Sequence, residues 1–171
     1  MTTQQLHLMN GFYLVALILV AFFTRATARR IAGALVGGIA GGGMALGVDA
    51  LGEEWGWWRM AIWGPSLLPL VYLDFVVSVM PIYLVTWRVA RKFGWRGLAV
   101  VAGGLAGIGP PRDYAYMARF PAWGSYARGI VPVLAIAAIY ALLLPLGHGV
   151  MRLVAGPASA DRLSRRPWEA A

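Results

Sequence analysis

The sequence predicts an all-α, polytopic transmembrane helix bundle of about five spans with no soluble domain. Apolar residues make up 60% of the chain and charged residues only 13%, about half of the roughly 25% that a soluble domain usually carries. The apolar residues stand in long blocks, several of which reach the roughly 20 residues that a helix needs to cross a bilayer. A chain of 171 residues suits one domain and leaves no room for a soluble core beside several spans.

Five apolar blocks are the predicted spans, and the bundle that they form occupies residues 1–155. The blocks run over residues 6–23, 31–51, 60–87, 97–109 and 129–151. The first, second and fifth blocks have the length of a span. The third is longer, at about 42 Å if it is fully helical. It contains three prolines, Pro65, Pro69 and Pro81. Because prolines kink helices, we expect one long, tilted or bent helix with an irregular first turn.

The fourth block is short, at about 20 Å of helix against about 30 Å of hydrocarbon. We expect Pro110-Pro111 to end it, because the residue before a proline is pushed out of helical geometry. The sequence leaves open whether this block spans the membrane or re-enters from one side.

The basic residues orient the predicted bundle. With five spans and the N-terminus outside, eleven basic residues fall on inner segments, and four on outer segments: Arg59, Arg112, Arg119 and Arg128. This distribution obeys the positive-inside rule. We therefore predict an integral protein of a bacterial inner (plasma) membrane, with the N-terminus outside and the C-terminus in the cytoplasm. Residues 156–171 are predicted to form a basic cytoplasmic tail on anionic lipid headgroups.

Composition and motifs exclude several function classes. The net charge of +8 lies between apolar blocks rather than along one polar face, which argues against nucleic-acid binding. The absence of cysteine excludes disulfides, thiolate metal sites and cysteine nucleophiles. His7 and His148 are expected at opposite faces of the membrane, so we predict no metal site and no cofactor. The chain contains no nucleophile elbow.

Glycines at four-residue spacing predict close helix packing. Gly33, Gly37 and Gly41 fall on one face of the second block, and Gly103 and Gly107 repeat the spacing in the fourth. Small residues at this spacing let two helix backbones approach each other. A phosphate-binding glycine loop would need a strand-turn-helix context, which the pattern lacks.

Aromatic residues collect where the membrane interfaces are expected. They are Trp55, Trp57, Trp58, Trp63, Trp87, Trp95, Tyr114, Tyr116, Trp123 and Tyr126. Amphipathic rings prefer the headgroup level. Interfacial anchoring is therefore the first interpretation, and stacking on a ligand is the alternative.

Ionisable residues within the blocks are the candidates for chemistry. Asp74 alone lies deep in a block, and charged groups at such depth usually face an interior cavity. We expect it to face the second or fifth span, either tying helices together or acting as an acid or proton relay. A polar cluster is expected at the outer face, formed by Asp49, Glu53, Glu54, Arg59, Arg112 and Asp113. It could bind a headgroup or a cation, or be a solvated rim.

Three functions follow from these features. The first is a small accessory or assembly subunit that joins a larger membrane complex or a homo-oligomer. The second is a membrane enzyme on a lipid or isoprenoid substrate, with Asp74, Asp49 and Glu53 as catalytic candidates. The third is a small carrier or channel with Asp74 on a polar path, although no inverted repeat supports it. The sequence does not decide whether the protein is an enzyme.

Overall fold

Four long helices and one two-stranded antiparallel sheet make up the fold. A computed structural model of the protein describes residues 2–158. In chain order the elements are α1 (Thr3–Phe23), α2 (Ala28–Glu54), β1 (Trp58–Met60), α3 (Leu68–Arg119), β2 (Gly124–Tyr126) and α4 (Ile130–Ala155). Each of the four helices is long and apolar enough to cross a membrane. The helical, apolar fold class is confirmed, whereas the short sheet was not foreseen.

Threonines begin the first two helices. The Thr2 hydroxyl accepts a hydrogen bond from the backbone N–H of Gln5 at 3.3 Å, and the Gln5 side chain accepts from the Thr2 N–H at 3.0 Å. This reciprocal capping box satisfies two N–H groups that lack partners within the helix. Thr27 caps α2 by accepting a hydrogen bond from the N–H of Arg30 at 3.3 Å. This cap marks the start of α2 after the turn that follows α1.

The chain reverses direction within α3. Gly94 has non-helical angles, φ 61° and ψ −150°, a conformation that essentially only glycine adopts. A Cβ atom added at Gly97 would lie 2.7 Å from Cγ1 of Val89. In a straight helix, two residues eight positions apart are separated by about 12 Å, so the chain must fold back on itself between them. Two antiparallel helical segments, 68–93 and 95–119, therefore make up α3.

Two expected helix boundaries are wrong. The third block was expected to be helical from residue 60, but α3 begins at Leu68, because residues 58–60 pair with β2 instead. The fourth block was expected to end at Pro110-Pro111, but the helix continues to Arg119. Contacts beyond the prolines stabilise that extension: the Tyr114 hydroxyl donates to the Ala127 carbonyl at 2.8 Å. The segment is consequently long enough to cross a bilayer.

Glycines bring α2 against both of its neighbours. A Cβ added at Gly33 would lie 2.9 Å from the Met151 carbonyl oxygen of α4, and one at Gly37 would lie 2.5 Å from that of Gly147. At Gly41 the added Cβ would lie 2.7 Å from the Tyr83 hydroxyl of α3. These distances leave no space for a side chain, so the backbones of α2 and α4 are in direct contact.

Gly103 and Gly107 differ from the glycines of α2. Both are exposed, and a Cβ added at either would meet nothing within 4 Å in the described chain. The expected close packing at these two positions is therefore not found within this chain. The face that they occupy points away from the other helices.

One end of the bundle is basic. Nε of Arg29 donates to the carbonyl of Val154 at 2.7 Å, and Nη2 of Arg88 donates to the carbonyl of Thr24 at 2.7 Å. The α1–α2 turn, the Gly94 reversal and the C-terminus of α4 therefore meet at this end. In the predicted tail, residues 159–171 lie outside the part of the chain that the structure describes.

Candidate functional site

A cavity of about 440 Å³ lies inside the helix bundle, toward the end opposite the basic one. Its volume falls within the range of about 300–1,000 Å³ that is typical of small-molecule sites. All four helices and the sheet contribute lining residues, and both segments of α3 do so. The reversal at Gly94 is what allows the second segment to close the cavity beside the first.

Most of the lining is apolar. The aliphatic side chains that line the cavity include Leu6, Val79, Ile82, Leu105, Ile136 and Leu144. The glycines Gly41 and Gly42 also line it. The cavity can therefore accept a hydrocarbon chain.

An arginine, an aspartate and a tyrosine form a hydrogen-bonded group at the polar end of the cavity. Arg112 binds Oδ1 of the neighbouring Asp113 through Nη2 at 2.7 Å and through Nε at 2.9 Å. The Tyr140 hydroxyl donates to Oδ2 of Asp113 at 2.9 Å and accepts a hydrogen bond from Arg112. These hydrogen bonds join α4 to the second segment of α3.

The outer polar cluster expected from the sequence is divided in the structure. Asp49 lines the cavity together with Arg112 and Asp113. Glu53 instead accepts a hydrogen bond from the backbone N–H of Met60 at 3.2 Å, which attaches β1 to α2. Glu54 and Arg59 are exposed and do not line the cavity.

Asp74 lies inside the bundle and lines the cavity, as its depth in the third block predicted. Its side chain is only 8% exposed. Its Oδ1 atom is buried and has no hydrogen-bond partner among the residues that the structure describes. A buried polar atom without a partner costs free energy, so the protein tolerates an unfavourable arrangement at this position.

Tyrosines are the lining residues that sequence reasoning missed. Tyr13, Tyr83 and Tyr140 line the cavity, and none was singled out from the sequence. Tyr140 stands in the middle of an apolar block, where a tyrosine hydroxyl needs a partner, and that position was an available signal.

Tyr126 at the end of β2 also lines the cavity. Its ring stacks on that of Tyr114 with the centroids 4.9 Å apart. Burial, and then the carboxylates of Asp113 and Asp49, raise the pKa of Tyr126 above its usual value. Its phenol therefore stays protonated and neutral at physiological pH.

His148 lies away from this site. It is 3% exposed, and its Nδ1 atom is 3.3 Å from the Thr86 hydroxyl. The pair joins α3 to α4 near the basic end, which indicates a structural role. Among the described residues, no group of three or more His, Cys, Asp and Glu side chains could hold a metal ion.

Comparison of the chain with protein-family models, with curated proteins and with solved structures gives no match. The function must therefore be argued from the cavity itself.

Proposed function

We propose that the chain is an integral membrane protein that crosses the bilayer five times, with the N-terminus outside. The crossings would be α1, α2, the two segments of α3, and α4. The grouping of basic residues at one end supports this orientation, because basic residues favour the cytoplasmic side. They are Arg25, Arg29, Arg30, Arg88, Arg91, Lys92, Arg96 and Arg152. Anionic headgroups of a bacterial inner membrane would then contact this end.

Labelling of introduced cysteines tests this topology, since the chain has no cysteine of its own. In intact cells, an impermeant thiol reagent should label cysteines at positions 3, 56 and 122. It should not label those at positions 27, 93 and 163 before the membrane is permeabilised. External labelling at both position 3 and position 163 would contradict an odd number of crossings.

For function, we propose that the cavity binds an amphipathic, lipid-like molecule. The observation that carries this proposal is the buried Oδ1 atom of Asp74, which has no hydrogen-bond partner among the described residues and belongs to the wall of a largely apolar cavity. A site with an apolar lining and a few convergent polar groups is the usual form of a small-molecule site. The hydrocarbon part would contact the aliphatic lining, and the polar part would lie near Asp49, Asp74 and Arg112.

A cavity-filling variant tests this proposal. Ala45 of α2 lines the cavity, whereas Ala50 of the same helix is exposed and does not. We expect organic extraction and mass spectrometry of the purified wild type to recover a bound amphiphile. Ala45→Phe should lose it, and the matched control Ala50→Phe should keep it. Equal recovery from both variants would contradict binding in the cavity.

Acid–base catalysis on the bound molecule is the second candidate function. The same observation at Asp74 favours it, because a carboxyl group with a free oxygen in an apolar cavity is suited to proton transfer. Asp49 is the second catalytic candidate, whereas Glu53 is engaged by β1. At a saturating concentration of the amphiphile, Asp74→Asn should then leave the mass of the amphiphile unchanged over time, while the wild type converts it.

The accessory-subunit hypothesis is tested by the same purification. If a larger protein complex co-purifies in mild detergent with both the wild type and Ala45→Phe, the result would favour an accessory-subunit role over ligand binding in the cavity. A homo-oligomer would be detected in the same experiment by its mass.

A further inference from the structure

The charges around the cavity are unequal. Three carboxylates line it, from Asp49, Asp74 and Asp113, against one guanidinium, from Arg112. Within the described chain, no lysine or histidine lines it. With all four groups ionised, the lining carries two uncompensated negative charges.

Arg112 is already paired with a carboxylate. Two of its nitrogens bind Asp113 at 2.9 Å and 2.7 Å, and its guanidinium lies 5.3 Å from the centre of the Tyr140 ring. A phosphate headgroup would have to compete with Asp113 for this guanidinium. It would also enter a cavity whose other carboxyl groups, Asp49 and Asp74, repel an anion when they are ionised.

With Arg112 and Asp113 paired, Asp74 and Asp49 are the carboxyl groups of the cavity that remain to bind a ligand. Oδ1 of Asp74 is buried and has no hydrogen-bond partner within residues 2–158. Burying a carboxylate is costly unless a cation or hydrogen-bond donors compensate it. The backbone carbonyl of Asp49 accepts a hydrogen bond from Nε1 of Trp58 at 2.9 Å. That bond fixes α2 beside the sheet while the Asp49 side chain lines the cavity. An ammonium group would supply the donors and the charge that Asp74 lacks.

Aromatic rings add a second attraction for a cation. Tyr13, Tyr116, Tyr126 and Trp58 line the same cavity as the carboxylates. The face of an aromatic ring attracts an ammonium group within about 6 Å, by about 0.5–2 kcal/mol. An anion gains nothing from these faces.

We propose that the cavity selects an amphiphile with a cationic, amine-bearing headgroup, which Asp74 and Asp49 bind while the aliphatic lining holds its chain. This inference rests on the proposed function and names the ligand class of that site. It distinguishes the ligand from anionic phospholipids and isoprenoid phosphates. It also gives Asp74 a role that the folded chain alone does not provide.

Matched probes test the headgroup preference. The purified protein in a neutral detergent is titrated with dodecylamine, dodecanol and dodecyl phosphate, and the midpoint of thermal unfolding gives each dissociation constant. We expect the wild type to bind dodecylamine at least tenfold more tightly than dodecyl phosphate. We expect Asp74→Asn to lose about tenfold in affinity for dodecylamine while its affinity for dodecanol stays within twofold.

Glu54→Gln is the control, because it removes one carboxylate at the same end of the bundle from an exposed position outside the cavity. It should bind dodecylamine as the wild type does. If Asp74→Asn yields no folded protein, Asp49→Asn carries the same test.

The outcomes separate this inference from the function on which it rests. Equal or tighter binding of dodecyl phosphate would overturn the cationic preference and leave amphiphile binding intact. An equal loss of dodecylamine binding in Glu54→Gln would also overturn it, because the attraction would then come from general surface charge. Binding of none of the three probes would overturn both proposals.

Discussion

The contact of Gly37 with α4 gives the sharpest prediction about stability. A Cβ at this position would lie 2.5 Å from the carbonyl oxygen of Gly147, a backbone atom that no change of rotamer can move. Overpacking of a well-packed core costs up to about 3 kcal/mol, whereas replacing a helical glycine with alanine gains about 1 kcal/mol in helix propensity. Gly37→Ala should therefore lower the free energy of unfolding by about 2 kcal/mol.

Gly43→Ala is the matched control in the same helix. A Cβ there would meet nothing within 4 Å in the described chain, so this change should be neutral or stabilise the protein by up to about 1 kcal/mol. Unfolding of both variants in mixed micelles, followed by tryptophan fluorescence against increasing sodium dodecyl sulfate, measures the difference. If Gly37→Ala proves as stable as Gly43→Ala, α2 and α4 are not in backbone contact at this position.

Three further changes test other parts of the fold. Gly94→Ala should destabilise the protein by about 1–3 kcal/mol, because essentially only glycine adopts the backbone angles at the reversal. Gly149→Ala is the control: the space around Gly149 is open, so this change should not destabilise the protein in the same unfolding assay. Thr86→Val should cost about 1–3 kcal/mol in that assay by removing the hydroxyl beside His148, and an unchanged stability would show that the buried pair contributes nothing. Burial raises the pKa of Tyr126 in the folded protein. The neutral phenol therefore contributes fully to the free energy of unfolding below about pH 10, and this contribution is lost as the pH rises above the pKa of a tyrosine in the unfolded chain. In a pH series of unfolding curves, wild-type stability should accordingly fall more steeply in alkali than that of Tyr126→Phe, and parallel curves would contradict this.

The helices were predictable from the sequence because hydropathy acts locally. Long apolar blocks leave a chain few alternatives to helix in a membrane, and all four long helices coincide with such blocks. The boundaries that failed depend on distant residues. Trp58 pairs with Tyr126, which lies far along the chain, and the contacts of Tyr114 that extend α3 beyond Pro110-Pro111 are also non-local.

The polar part of the site was more predictable than its aromatic part. Asp74 was identified because an ionisable group deep in an apolar block is costly. Asp49, Arg112 and Asp113 were identified because they were expected at the same level of the membrane. Tyr13 and similar tyrosines were missed, since either side of a membrane helix accepts a tyrosine. Whether a ring faces lipid or a cavity depends on the rotation of its helix, which packing between helices sets.

Native mass spectrometry across a range of amphiphile concentrations tests the central claim, that one cavity binds one amphiphile. The wild type should show a single adduct that saturates at one molecule per chain, and Ala45→Phe should not show it. Ala50→Phe should match the wild type. Adducts that increase without saturation, and equally in all three proteins, would contradict the claim, because they would show only lipid on the outer surface of the helices.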